Sequence, residues 1–167
     1  MLKDDRGIAP SGAVRMTERS FHVVATIHTS YTVTDLDATI AFYRDCLGFD
    51  IRTASDPGGT YMENITGVPR ARVKVAIVNC PGGHQIELFQ YLAPQDRERY
   101  IPRPCDTGAS HMAFRVDDFD AALAKMAEYG FTPLNKTPDV HLPSGAVLHT
   151  AYLRNADGLL IEIVQSA

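Results

Sequence analysis

The sequence predicts an α+β fold made of two copies of one unit, each a strand, a helix and three further strands. Repetition is the first observation behind this. His28-Thr29-Ser30-Tyr31-Thr32-Val33-Thr34-Asp35-Leu36-Asp37-Ala38 returns as His111-Met112-Ala113-Phe114-Arg115-Val116-Asp117-Asp118-Phe119-Asp120-Ala121. Gly83-His84-Gln85-Ile86-Glu87-Leu88-Phe89-Gln90 returns as Gly158-Leu159-Leu160-Ile161-Glu162-Ile163-Val164-Gln165. The second observation is that period-two stretches give way to helical spacing at the same point of each half. The third is a stretch from Leu92 to Gly108 carrying Pro94, Pro102 and Pro104, which separates the halves as a linker. A supersecondary unit present twice is expected to share a core with its copy.

Residues 1 to 20 read as a flexible tail: they are polar, mix both charge signs and hold no apolar signal-peptide core, and Met16 offers a second start. The remaining 21–167 form one domain of two modules, 21–92 and 108–167. Val23 to Val33, rich in Val, Thr, Ile and Tyr, predicts a strand with Thr26, His28, Ser30 and Thr32 on one face. Thr34 or Asp35 caps a helix marked by Leu36, Ile40, Tyr43 and Leu47, and Gly48 ends it. Ser55 to Arg70 is a longer excursion with a short helix near Tyr61. Ala71 to Asn79 and Gln85 to Tyr91 are strands joined through Pro81-Gly82-Gly83. The second half repeats this plan. Its strand runs from Ala109 to Val116 and its helix from Asp118 to Tyr129, with Phe119, Leu123 and Met126 as the buried stripe and Gly130 as the stop. Strands near Thr132, over Val147 to Leu153 and over Leu159 to Val164 complete it.

At 167 residues a lone half would bury too little surface, so the halves pack together or across a dimer. The net charge of -4 gives no reason to expect nucleic acid. The cluster from Arg97 to Arg103 is interrupted by Glu98 and prolines and reads as a solvated linker. No apolar run reaches membrane-spanning length. Cys46, Cys80 and Cys105 lack metal-finger spacing and read as reduced thiols of a cytoplasmic protein.

The chemistry lies in the repeated His and Glu. Glu87 and Glu162 interrupt apolar strands, as Ile86-Glu87-Leu88 and Ile161-Glu162-Ile163. A carboxylate on a core strand costs several kcal/mol unless something compensates it. Two neutral imidazoles, His28 and His111, and two carboxylates around one divalent ion sum to zero charge, with ligand types suited to Zn, Ni, Co, Mn or Fe. Alone, each residue is an ordinary strand His or an edge Glu; their recurrence at matching places makes them a set.

The chain resembles the vicinal oxygen chelate superfamily, which includes glyoxalase I, methylmalonyl-CoA epimerase, extradiol dioxygenases and fosfomycin-resistance proteins. The matching motifs are His28 through Asp35-Leu36, Ala41-Phe42-Tyr43-Arg44-Asp45-Cys46-Leu47-Gly48-Phe49 and Ile86-Glu87-Leu88. They continue with Ser110 through Asp118, and with Tyr152-Leu153-Arg154-Asn155-Ala156-Asp157-Gly158 leading to Glu162. The resemblance implies paired βαβββ modules whose curled mixed sheets form a cup around a metal, with His28, Glu87, His111 and Glu162 on the four ligand positions. It also implies chelation of neighbouring substrate oxygens by that metal, which stabilises a developing oxyanion.

Glu87 selects among the reactions of the resembled family. Three-ligand members generally lack a ligand there, whereas glyoxalase and the epimerases fill the place. The expectation is therefore a lyase, isomerase or epimerase transferring a proton through a metal-bound enediolate or enolate, with Glu162 or Glu87 as the catalytic base. Thr32 and Tyr91 stand where bacterial glyoxalase I holds glutathione with Arg and Asn, which argues against a glutathione adduct. The epimerase resembles the second half best, yet no carboxylate, neither Glu63 nor a group near Lys74, aligns with its other acid–base position. A non-haem iron extradiol-type dioxygenase is an alternative: Tyr152, Asn155, Gly158 and Glu162 match its signature, while Ala156 replaces its Pro. A metal-free binding protein of the bleomycin-resistance kind is another, and would need no ligand tetrad. Ser30, Thr32, Tyr91, Arg115, His149 and Tyr152 are weaker candidates for contacting substrate; His84 and His141 sit in turn-like stretches and receive no role. The expected protein is a cytoplasmic homodimer acting on a small molecule, binding neither nucleic acid nor membrane.

Overall fold

The computed structural model describes residues 20–55, 60–136 and 139–166. Its first half comprises β1 (Thr29–Thr32), α1 (Leu36–Ala41), β2 (Asp50–Ser55), α2 (Thr60–Thr66), β3 (Arg72–Asn79) and β4 (Gln85–Ala93). Its second comprises β5 (Met112–Arg115), α3 (Phe119–Glu128), β6 (Thr132–Pro133), β7 (Asp139–His141), β8 (Val147–Arg154) and β9 (Leu160–Ser166). Each half forms its own mixed sheet. The orders are β1-β4-β3-β2 and β5-β9-β8-β6, with β7 also on β8. The first strand of each sheet runs parallel to the last, β1 to β4 and β5 to β9, and the other pairings are antiparallel.

The repeat extends to how each helix begins. Asp35 Oδ1 accepts from Ala38 N and Asp118 Oδ1 accepts from Ala121 N, both at 2.9 Å. A cap of this kind satisfies one of the orphan amides of the first turn. Gln90 and Gln165 brace the same joint from the last strand. Gln90 donates to Thr34 O at 2.9 Å and accepts from Leu36 N at 3.2 Å; Gln165 donates to Asp117 O at 2.6 Å and accepts from Phe119 N at 3.0 Å. Gly48 and Gly130 end the helical stretches at φ of 71° and 79°, a region that β-carbons disfavour.

One core joins the halves. Ile86 and Leu88 of the first sheet and Ile161 and Ile163 of the second are all buried within it, beside residues of the helical segments of both halves. Phe42 stacks on Phe131 with ring centroids 4.2 Å apart, and Phe49 meets Phe114 edge-on at 5.4 Å. At one end of this junction Asp157 accepts from Thr34 N and Thr34 Oγ1, at 3.0 and 2.5 Å, and Arg99 lies against it at 3.4 Å. Each sheet therefore turns its helix-covered face inward. Side chains alternate along a strand, so the residues between these apolar ones, including Glu87 and Glu162, face away from the shared core.

Several boundaries differ from expectation. The strand expected over Val23 to Val33 is paired only over Thr29–Thr32. Residues 20–28 carry β-forming side chains, yet Phe21, Val23, Val24 and Ile27 are exposed and, among the described residues, no neighbouring strand completes a ladder with them. Both histidines sit one residue ahead of their paired strands, not on them. The first helix is α-helical only to Ala41 and continues as a π-helical turn over Phe42–Cys46. His141, expected in a turn, belongs to β7, which pairs with β8. The expected flexible tail falls, but for Ser20, outside the described residues. No described helix is long and apolar enough to cross a membrane.

Candidate metal centre

Two His–Glu pairs form, one on each sheet. The parallel register places Ser30 beside Glu87, so His28, two residues earlier, reaches the carboxylate diagonally; its Nε2 lies 3.1 Å from Glu87 Oε2. In the second sheet Ala113 is beside Glu162, and His111 Nε2 lies 3.2 Å from Glu162 Oε2. The Glu side chains retain 20% and 21% exposure and the His side chains 35% and 39%, so each pair is both supported and reachable. With ligand bonds of about 2.0–2.2 Å, two neighbouring ligands of one ion also stand roughly 3 Å apart. The donor set therefore fits a divalent ion, in type and in the spacing within each pair.

The two pairs do not meet in one chain. Among the described residues no three His, Cys, Asp or Glu side chains converge as a metal-binding group. The cause is the packing above: both sheets commit their helix faces to the common core and leave their His–Glu faces pointing out of it.

The surroundings of the pairs differ. Glu87 has Ser30 on one flank and Ile77 on the other. Farther along the same face Phe89 and Tyr91 pack against Val73, Val75 and Met62 of α2, forming a second, smaller apolar cluster. Glu162 is flanked by Ala113 and Tyr152. Thr150 Oγ1 donates to Glu162 Oε1 at 3.0 Å, and Tyr152 Oη lies 3.3 Å from His111 Nε2. Desolvation first, and then the Glu162 carboxylate, raise the Tyr152 phenol above its usual pKa, keeping it a neutral hydroxyl. Beside Tyr152 and Thr150 opens a cavity of about 340 Å³, walled by Pro104, Leu134, Lys136 and Val140.

Of the weaker candidates, Ser30 and Tyr152 stand next to the two carboxylates, and Thr32 is exposed farther along β1 beside Phe89. Tyr91 shares the face of Glu87 but is engaged in the Met62 cluster. Arg115 is exposed on β5 and borders a separate cleft of about 920 Å³ between the halves, with Cys46, Cys80 and Lys125. His149 lies on the opposite face: it pairs across from Gln165, and its ring lies 5.9 Å from that of Phe119. Tyr152 and His149 are three apart on one strand, so period two alone forbids both from facing the site. Thr150 was the residue missed. It is separated in sequence from Glu162 by a turn, and only the antiparallel register of β8 with β9 brings them together.

Fold and site define a class: an α+β protein of two βαβββ units carrying one His–Glu pair per unit. The chain belongs to the Glyoxalase/Bleomycin resistance protein/Dioxygenase superfamily, whose model matches residues 25–163. Members of that superfamily commonly bind divalent metals. The chain is 36% identical over 109 residues to a 2-epi-5-epi-valiolone epimerase from an Actinomyces species, a match covering 64% of this chain and 57% of that relative. It thus spans little more than half of the epimerase. It is also 29% identical over 147 residues to the uncharacterized protein YaeR of Escherichia coli strain K12, covering 88% of this chain and 96% of that one. A glyoxalase family protein from Bacillus cereus shares the fold, with a TM-score of 0.76 at 21% identity over 90% of this chain and 99% of that one.

Proposed function

We propose that this protein is a metal-dependent epimerase or lyase that moves a proton at a carbon next to a carbonyl in a small oxygenated metabolite, and that it works as a homodimer. The observation that carries the reading is the pair of half-sites, each a His–Glu pair at 3.1 or 3.2 Å on an outward face. A second copy supplies what each half lacks, bringing His28 and Glu87 of one chain to His111 and Glu162 of the other. The exposed β1 edge and the apolar side chains Phe21, Val23, Val24 and Ile27 ahead of it supply surface for that contact. Unpaired strand edges of this kind invite a partner strand.

A divalent ion held by those four side chains would supply Lewis acidity toward a substrate oxygen. The chain's own part is proton movement. Epimerisation removes a proton from one face of a carbon and returns one to the other, so it needs two acid–base groups, and Glu87 and Glu162 provide two carboxylates from two different sheets. The Tyr152 hydroxyl orients His111, and the adjoining cavity, mostly apolar with Lys136 at its wall, opens beside that pair. Similarity to an epimerase supports the reaction class; its substrate is not carried over.

The test is proton exchange. Hydroxyketones and cyclic polyol ketones would be incubated with protein in D2O and followed by NMR, with and without EDTA. Deuterium wash-in at the carbon beside the carbonyl, abolished by EDTA and restored by Co2+ or Ni2+, is the expected result. Oxygen consumption without exchange would replace this reading with dioxygenase chemistry.

A further inference from the structure

Beside the differences Ser30 against Ala113 and Ile77 against Tyr152, the half-sites differ at a third pair of equivalent positions. In the first sheet Val75 pairs with Phe89, two residues past Glu87; in the second Thr150 pairs with Val164, two residues past Glu162. Val and Thr have nearly the same shape, so what distinguishes these places is a hydroxyl. Thr150 Oγ1 donates to Glu162 Oε1 at 3.0 Å while Glu162 Oε2 faces His111 Nε2 at 3.2 Å. Both oxygens of that carboxylate are thereby assigned, one to the hydroxyl and one to the histidine. At Glu87 the flanking Val75 and Ile77 have nothing to donate, and the Ser30 hydroxyl on the other flank makes no hydrogen bond to it. His28, at 3.1 Å, is its only ion-pair or hydrogen-bond partner among the described residues.

We propose, building on the metal reading above, that Thr150 is a positioning residue that presents Glu162 through a single oxygen. It makes His111–Glu162 the anchoring half of the centre and leaves Glu87 as the carboxylate free to turn toward substrate. The physical reason is pre-organisation. A Glu side chain has three torsions to freeze on binding an ion, and a hydroxyl bonded to its other oxygen freezes them beforehand. Outer-shell partners of ligands typically change metal affinity by about 10–100-fold. Glu87 lacks such a partner, so its hold on the ion is weaker and its motion freer.

The test uses Co2+ and the full-length metal-free protein, following the visible spectrum and competition with a chromogenic chelator. Thr150→Val should weaken Co2+ binding about 10-fold or more and alter the spectrum. Thr150→Ser, which keeps the hydroxyl, should restore both. Glu162→Gln should lose more affinity than Glu87→Gln. Thermal melts of the metal-free variants, expected near wild type, separate this from misfolding. Wild-type affinity and spectrum in Thr150→Val, a Thr150→Ser that behaves like Thr150→Val, or equal losses in the two Gln variants would each overturn the proposal while the metal reading stands. Failure of wild type itself to bind Co2+ would overturn both.

Discussion

The two sheets are alike in how each joins its first strand to its helix and its last strand, and unlike in what surrounds their carboxylates. Both begin with a His ahead of an edge strand, cap the following helix with Asp, and brace that cap with a Gln three residues after the Glu. Around Glu87, however, the neighbours are Ser30, Ile77 and Val75, whereas around Glu162 they are Ala113, Tyr152 and Thr150. Caps, braces and core faces serve folding in each half equally. The positions flanking the carboxylates lie on the other face and bear on the core less. Two carboxylates in different settings can take different tasks in one proton transfer, as two identical ones would not.

The carboxylates themselves carry the largest expected effects. Glu162→Ala and Glu87→Ala should each abolish proton exchange and weaken metal binding beyond the roughly 100-fold reached by outer-shell changes, with Glu162→Ala the more severe. Equilibrium dialysis with metal analysis reads both. Wild-type retention of metal in both variants would mean that neither pair is a ligand set. The scaffold should behave in the opposite way, symmetrically. Asp35→Ala and Asp118→Ala should each cost about 1 kcal/mol in urea unfolding, the usual value of a lost cap, and leave the relative metal affinity of the halves unchanged. A much larger loss for one of them would show that the repeat is not energetically a repeat. The smallest effect concerns the thiols. Burial pushes Cys80 up to about 11 and raises Cys46 as well, whereas Cys105 is exposed. At pH 8 Cys80 is therefore protonated and poorly nucleophilic, and iodoacetamide followed by peptide mass spectrometry should label Cys105 first. Cys80 labelling should rise only as pH approaches 11.

Much of this was legible in the residues. The paired motifs located both His–Glu sets, and Asp35, Asp118, Gly48 and Gly130 marked helix ends through local chemistry that needs no tertiary context. What was not legible depends on partners distant in sequence. Val23 to Ile27 has the composition of a strand, but composition does not supply a neighbouring ladder, so pairing begins only at Thr29. β7 is three residues long and is recruited by β8, leaving no period to read. Thr150 and the two glutamines act across sheet registers. His149 was legible, since its parity with Tyr152 already places it on the other face. The separation of the two pairs within one chain follows from Phe42 meeting Phe131, a contact between halves that no local pattern announces.

Mixing two inactive proteins asks whether one centre draws on two chains. Glu87→Ala spoils the first half-site and Glu162→Ala the second. In a mixed dimer the intact His28–Glu87 pair of one chain meets the intact His111–Glu162 pair of the other. Tagged differently, co-expressed and purified as the mixed species, these variants should recover about one tightly bound ion per dimer and a corresponding share of proton exchange. Recovery of neither metal nor activity in a verified mixed dimer would contradict the account and return the centre to a single chain.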